Sequence, residues 1–359
     1  AEIFILFLNI FGIVLSINLF VLSNKRNGVN MRLKELCQLN GVSGDEKEVH
    51  DFLYNEYKKR NLSIIKDRLG SIFGLKKGND SSYKIMISSN MDESGGMISD
   101  IREDGLMEFL TIGLYEKCLF EQRIVKVLNR RHKEYTGFIV KKENELLLDV
   151  GYGSKEEVLK GGIQIGDIFL LDIPTLCLPE GEILSKNLSN RAGLEVGLTV
   201  LDKLEEGREN LPFDVAVGGI SHSVTGQRGA ITATTAVKPD IAIVIDAAYV
   251  KESKENAIYI RSFDKSMLPN QMLKQEFYEA AKKKGYIPEG HVQLEATDGS
   301  FIHKSLEGTP TVVLVLPLKH KQALLNSLKV KHINNLSDVI IEFIKGLTAE
   351  KIEKFGFKG

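Results

Sequence analysis

Between Ile98 and Ile183 the chain almost loses helical periodicity, while strand-length runs at Gln122–Leu128, Glu145–Val150 and Asp167–Asp172 alternate with glycine-rich turns. Such a segment reads as a small β-barrel or sandwich. Its two flanks follow another rule. Ahead of it, Arg32–Asn40 carries a short helical pattern stopped by Asn40-Gly41, and Ser43 with Glu46 reads as a capping box opening a second helix through Tyr57. The β-branched runs Leu62–Ile65, Ser71–Leu75 and Tyr83–Ser88 then read as strands. Beyond the insert, Asn190–Leu204, Asn270–Lys284 and Asn335–Leu347 are expected helices, and Asp214–Ile220 and Ile241–Ile245 expected buried strands. Strands alternating with helices on both sides of a helix-poor insert predict an α/β fold. The expected architecture is a mixed sheet flanked by helices over 31–97 and 184–359, with an inserted small β-barrel domain over 98–183.

Composition narrows the function classes. With 359 residues, 43% hydrophobic and 26% charged, the chain is globular and long enough for two domains. Its net charge of −1 argues against nucleic acid as a partner. The three cysteines, Cys37, Cys118 and Cys177, are far apart and read as reduced thiols of a cytoplasmic protein. Residues 1–30 form a separate unit. The apolar run Phe4–Leu22 is just long enough to span a bilayer, and Lys25-Arg26 after it would leave the body facing the cytoplasm. Met31 equally reads as the natural start of the body, which would make residues 1–30 a translated leader. A membrane partner is expected only on the first alternative.

No H-E-x-x-H pair, P-loop or G-x-G-x-x-G following a strand is present, and the seven histidines show no ligand spacing. His222 beside Ser223 suggests a nucleophile and its base, yet neighbours on a strand point to opposite faces.

Five stretches carry a more specific signal: Leu36–Gly44 (LCQLNGVSG), Asp67–Gly70 (DRLG), Asn90–Glu93 (NMDE), Gly162–Asp167 (GIQIGD), and Thr297-Asp298 with Glu307–Thr311 (EGTPT). By these the body resembles the tetrahedral, TET-type metallo-aminopeptidases, a family of glutamyl and leucyl aminopeptidases also known as cellulase M or frv-operon proteins. The resemblance implies a zinc-peptidase-like α/β domain with an inserted β domain of the oligomerising type, homo-oligomeric to the dodecamer, trimming peptides from the N-terminus. It also implies two zinc or cobalt ions per subunit, bridged by a carboxylate, that activate water and polarise the peptide carbonyl.

Carried over residue by residue, the family's ligand set is largely replaced. Asn90 stands for the first histidine ligand, and an amide is a poor zinc ligand. Asp92, which in the family orients that histidine, is kept. Ser189, followed by Asn190, stands for the bridging carboxylate, and both read instead as helix N-caps. Ser223 and Val224 fall where the general-base glutamate and its ligand neighbour belong, and valine has no lone pair to offer. Asp246 is the one retained metal-binding position. Gln322 stands for the last histidine, with His320 as a near neighbour that could replace it. Thr297, Asp298 and Ser300 map to the substrate pocket, where Ser300-Phe301 would crowd a substrate. Lys319, His320 and Lys321 are candidate cationic partners for Asp246 and Asp92.

Losing the acids together is the expected consequence of losing metal, because converging carboxylates repel without dications between them. The expectation is therefore an aminopeptidase homologue that is catalytically inactive, needs no cofactor and serves as a binding or scaffold subunit, with a peptide as possible ligand. The alternative is a peptide hydrolase rebuilt around one metal held by Asp246, Asp92, Glu93 and His320.

Overall fold

The computed structural model describes residues 31–113, 115–207, 211–320 and 323–356. The apolar run Phe4–Leu22, Lys321 and Gln322 lie outside the described residues. Among the described residues, no helix is long and apolar enough to cross a membrane.

Helices α1 (Met31–Gln38) and α2 (Lys47–Lys59) precede strands β1 (Ser63–Lys66), β2 (Ile72–Lys76) and β3 (Asp80–Asn90). Next come β4 (Gly95–Ile101), β5 (Met107–Ile112), β6 (Ile124–Leu128), β7 (Glu134–Lys142), β8 (Glu145–Asp149), helix α3 (Lys155–Gly161) and β9 (Ile168–Leu171). The chain continues through β10 (Leu176–Leu178), β11 (Glu182–Ser185), α4 (Leu188–Glu206), β12 (Phe213–Ile220), α5 (Arg228–Val237), β13 (Ile241–Tyr249) and β14 (Ala257–Phe263). Last are α6 (Gln271–Lys283), β15 (Ile287–Val292), α7 (Gly299–Ile302), β16 (Thr311–Leu318), β17 (Asn326–Lys329), α8 (Lys331–Lys345) and α9 (Ala349–Phe355).

Eight strands form one mixed sheet in the order β1-β2-β12-β3-β13-β16-β14-β15. Its centre, β12, β3, β13 and β16, is parallel throughout. That arrangement explains the unbroken apolar runs of β13 and β16: helices cover both faces of a parallel sheet, so neither face of the strand meets water. On one side α1, α2, α4, α6, α8 and α9 enclose the larger core, and on the other α5 and α7 enclose the smaller one. Because β3, β12, β13 and β16 run the same way, their carboxyl ends share one edge, where α/β sheets bind ligands.

The insert is a closed six-stranded barrel in the order β4-β5-β8-β7-β6-β9. Phe109 and Phe120 meet Phe169 edge-to-face at its core, with ring centroids 5.0 and 5.9 Å apart. Gly96 is obligatory beside that ring, since a Cβ there would lie 2.2 Å from Phe169. Val42 of the α/β body packs with Leu128 and Leu170 of the barrel.

Two expected helix starts are corrected. Helix α2 begins at Lys47, and no side-chain cap precedes it. The Ser43 hydroxyl bonds instead to Thr225 at 2.9 Å, and Glu46 accepts the His222 N–H at 2.9 Å. Helix α4 begins at Leu188 after Asn187, whose φ is +50°, so Ser189 and Asn190 lie within its first turn and are not caps. In both places tertiary partners claim the side chains that local rules assign to capping.

Candidate functional site

Of the residues mapped from the sequence, Asn90, Asp92, Ser223, Asp246 and Asp298 lie near one another toward the shared carboxyl edge of the sheet. Asn90 ends β3, in register with Ile220 at the end of β12. Two residues on, Asp92 is fully buried and its Oδ2 accepts the Val224 N–H at 2.8 Å. Burial pushes its carboxyl up to about 7, against the pull of that N–H, and nearby Glu46 adds to the rise. The Asn190 amide donates to the Asp92 carbonyl, and Ser189 donates to the Asn190 side-chain oxygen. Thus Ser189, expected at the bridging position, and its neighbour Asn190 make hydrogen bonds within the chain.

Ser223, expected to stand where the family has its general base, donates to Asp298 Oδ2 at 2.9 Å. Asp298 is buried, and burial lifts it to about 8, with Asp92 and Asp246 adding to the rise against the hydrogen bond from Ser223. His222 does not serve Ser223: its backbone has φ +54°, and its N–H goes to Glu46. A serine–histidine pair is therefore not formed.

Glu93 is held from three sides. Lys186 Nζ lies 3.1 Å and Arg191 3.4 Å from its carboxylate, and the Asn187 amide donates to it at 3.0 Å. All three charged groups are buried. Asp246, on β13, is engaged by Arg261 of β14, a guanidinium with no solvent exposure that also donates to Gln293 at 3.1 Å. Thr297 and Ser300 donate to Asp264 at 2.8 and 2.7 Å, and Ser300 is itself buried. Phe301, partly buried, packs against the smaller core.

Lys319 and His320, the described part of the basic run after β16, do not pair with Asp246 or Asp92. His320 is exposed, and its backbone bonds to Asn326, while Lys319 pairs with Glu182 at 3.3 Å. Arg261 is the cation that meets Asp246. Sequence reasoning missed it, although a lone arginine in the apolar run AIYIRSF was its available signal. Lys186 and Arg191 were also missed, although they bracket the Ser189-Asn190 pair.

These residues do not fit a two-metal centre. The positions that should offer imidazole and carboxylate hold Asn90, Ser189, Ser223 and Val224, and Asp246 and Glu93 already have protein cations as partners. Among the described residues, no three His, Cys, Asp or Glu side chains are gathered as they would be around a metal ion. A cavity of about 20 Å³ remains between Glu93, Lys186, Asn187 and Asn190, room for roughly one water. The larger cavity, about 350 Å³, lies on the barrel among Arg102, Glu108, Glu121 and Lys141, remote from these residues in the fold.

The profile of the M42 glutamyl aminopeptidase family matches residues 70–339. The Escherichia coli strain K12 protein named "Putative aminopeptidase FrvX" is 30% identical, over 90% of this chain and 97% of its own. Among solved structures, the TET aminopeptidase of Thaumarchaeota archaeon SCGC AB-539-E09 superposes with a TM-score of 0.85 at 25% identity, covering 90% of this chain and 99% of that one. The Pyrococcus horikoshii TET1 peptidase, which can assemble into a tetrahedron or a large octahedral shell, has a TM-score of 0.79 at 21% identity, covering 88% and 99%.

Proposed function

Because the chain belongs to the M42 glutamyl aminopeptidase family, we propose that it is a non-hydrolysing member, a homo-oligomeric binding or scaffold subunit without the two-metal reaction. The observation that carries this reading is the chemistry of the donor set. Two-metal hydrolysis needs a bridging carboxylate, a base and several strong ligands around an open coordination position. Here the bridging position is Ser189, the base position is Ser223, its neighbour is Val224, and the retained Asp246 is ion-paired with a buried arginine. Family likeness supports self-assembly, and peptide remains the ligand class the fold suggests. Three cysteines without disulfides favour a reducing compartment.

The test is metal content per chain on protein starting at Met31, purified without chelator and resupplied with zinc and cobalt, alongside release of amino acids from peptide amides. Sub-stoichiometric metal and no release are expected. One or more tightly held ions per chain with metal-dependent release would overturn the reading in favour of a rebuilt hydrolase.

A further inference from the structure

The acids that survive at this site are too numerous to be left without counter-charge. Asp246 lies within electrostatic reach of Asp264 and Glu295, and Asp298 within reach of both Asp92 and Asp246. Asp264 is satisfied by hydroxyl donors from Thr297 and Ser300. Among the described residues, no ion pair reaches Asp92 or Asp298, and each keeps one buried carboxyl oxygen without a hydrogen-bond partner.

Arg261 is the cation in contact with this group. Val315 of β16 is in register with Asp246 on one side and with Tyr259 on the other, so Arg261 belongs to the strand beyond β16 and reaches back across it to Asp246. Its side chain has no exposure, whereas that of Asp246 keeps 20%. Burying a guanidinium so completely is costly unless the acid it meets needs it there. A long, planar, permanently charged side chain suits that task, because it delivers a fixed positive charge two strands away from its own backbone.

We infer that Arg261 is the built-in counter-ion of this site, supplying to Asp246 the positive charge that a bound divalent cation would otherwise supply. This rests on the non-hydrolysing reading above. The chain has exchanged an external, dissociable cation for an internal, permanent one. Asp246 is retained because it now anchors Arg261, and the stability of this edge is independent of metal supply.

The experiment compares wild type with Arg261→Met, Asp246→Asn and the double variant by thermal melting, with and without 1 mM cobalt(II). Arg261→Met is expected to lower Tm by several degrees. Adding Asp246→Asn should recover at least half of that loss, because the acid left unpaired is then neutral. Cobalt should raise the Tm of Arg261→Met by a few degrees and leave wild type within about one degree. If Arg261→Met does not fold, a folded double variant still supports the inference. A double variant as unstable as Arg261→Met, or unfolded like it, overturns the inference, since Arg261 would then act by packing. Equal cobalt stabilisation of wild type and Arg261→Met, or none in Arg261→Met, also overturns it. Wild-type metal content and peptide-amide hydrolysis separate the two readings: tightly held metal with metal-dependent release defeats the non-hydrolysing proposal, while metal-free wild type without charge rescue defeats this inference alone.

Discussion

Asp92 and Asp298 make the pH dependence of folding run opposite to that of a salt-bridged acid. Their carboxyls are raised from an ordinary 3.8 to about 7 and about 8. Between about pH 4 and 8 the folded chain therefore holds protons that the unfolded chain has released, and stability falls as pH rises, by up to about 1.4 kcal/mol per pH unit for each group. Asp92→Asn and Asp298→Asn keep an oxygen for the Val224 N–H and the Ser223 hydroxyl. Each is expected to flatten this slope and to raise stability at pH 8. Urea midpoints at pH 5, 6.5 and 8 in metal-free buffer check it; a slope unchanged from wild type would refute the assignment. Asn90 and Asp92 were singled out at this scale because both fall inside a recognisable sequence stretch, Asn90–Glu93. Arg261 was not, since its partner lies across an intervening strand and no local pattern marks it.

Helix α4 connects the site to the sheet, and its fit depends on Gly193. A Cβ there would lie 2.1 Å from the Ser89 hydroxyl on β3 and 3.0 Å from the Ile245 carbonyl on β13. In a free helix, replacing glycine with alanine is favourable by up to about 1 kcal/mol. Here overpacking dominates, and Gly193→Ala is expected to destabilise by about 1–3 kcal/mol. Chemical denaturation provides the check; a variant as stable as wild type would show that α4 can shift outward freely. Element types were readable wherever burial imposes an apolar run or a strong period, as in β13 and α6. Their ends were less so. Asn270 does cap α6, accepting the Leu273 N–H. By contrast, Ser43 and Asn190 satisfy local capping rules on paper but are drawn to Thr225 and to the Asp92 carbonyl.

Across the whole molecule, the barrel presents apolar side chains to solvent as matched cross-strand pairs. Met97 faces Leu110 and Ile124 faces Phe138, with exposures of 38, 65, 52 and 42%. Such pairs are expected to be covered by another copy in a homo-oligomer. Protein starting at Met31 should then sediment above monomer mass. Leu110→Asp or Phe138→Asp should yield smaller species with an unchanged circular dichroism spectrum. A monomeric wild type would remove the assembly reading. The existence of a β insert was legible from its missing helical period, whereas its closure into a barrel depends on pairings such as β4 with β9 that lie far apart in sequence. Gly96 of β4 and Phe169 of β9 are register partners, so the chain enters and leaves the barrel about one strand spacing, roughly 5 Å, apart. The insert is thus joined to the α/β body through two neighbouring strands, beside which Val42 packs on Leu128 and Leu170. Because both of its ends leave from that one place, residues can be added to or removed from its loops without rethreading the eight-stranded sheet.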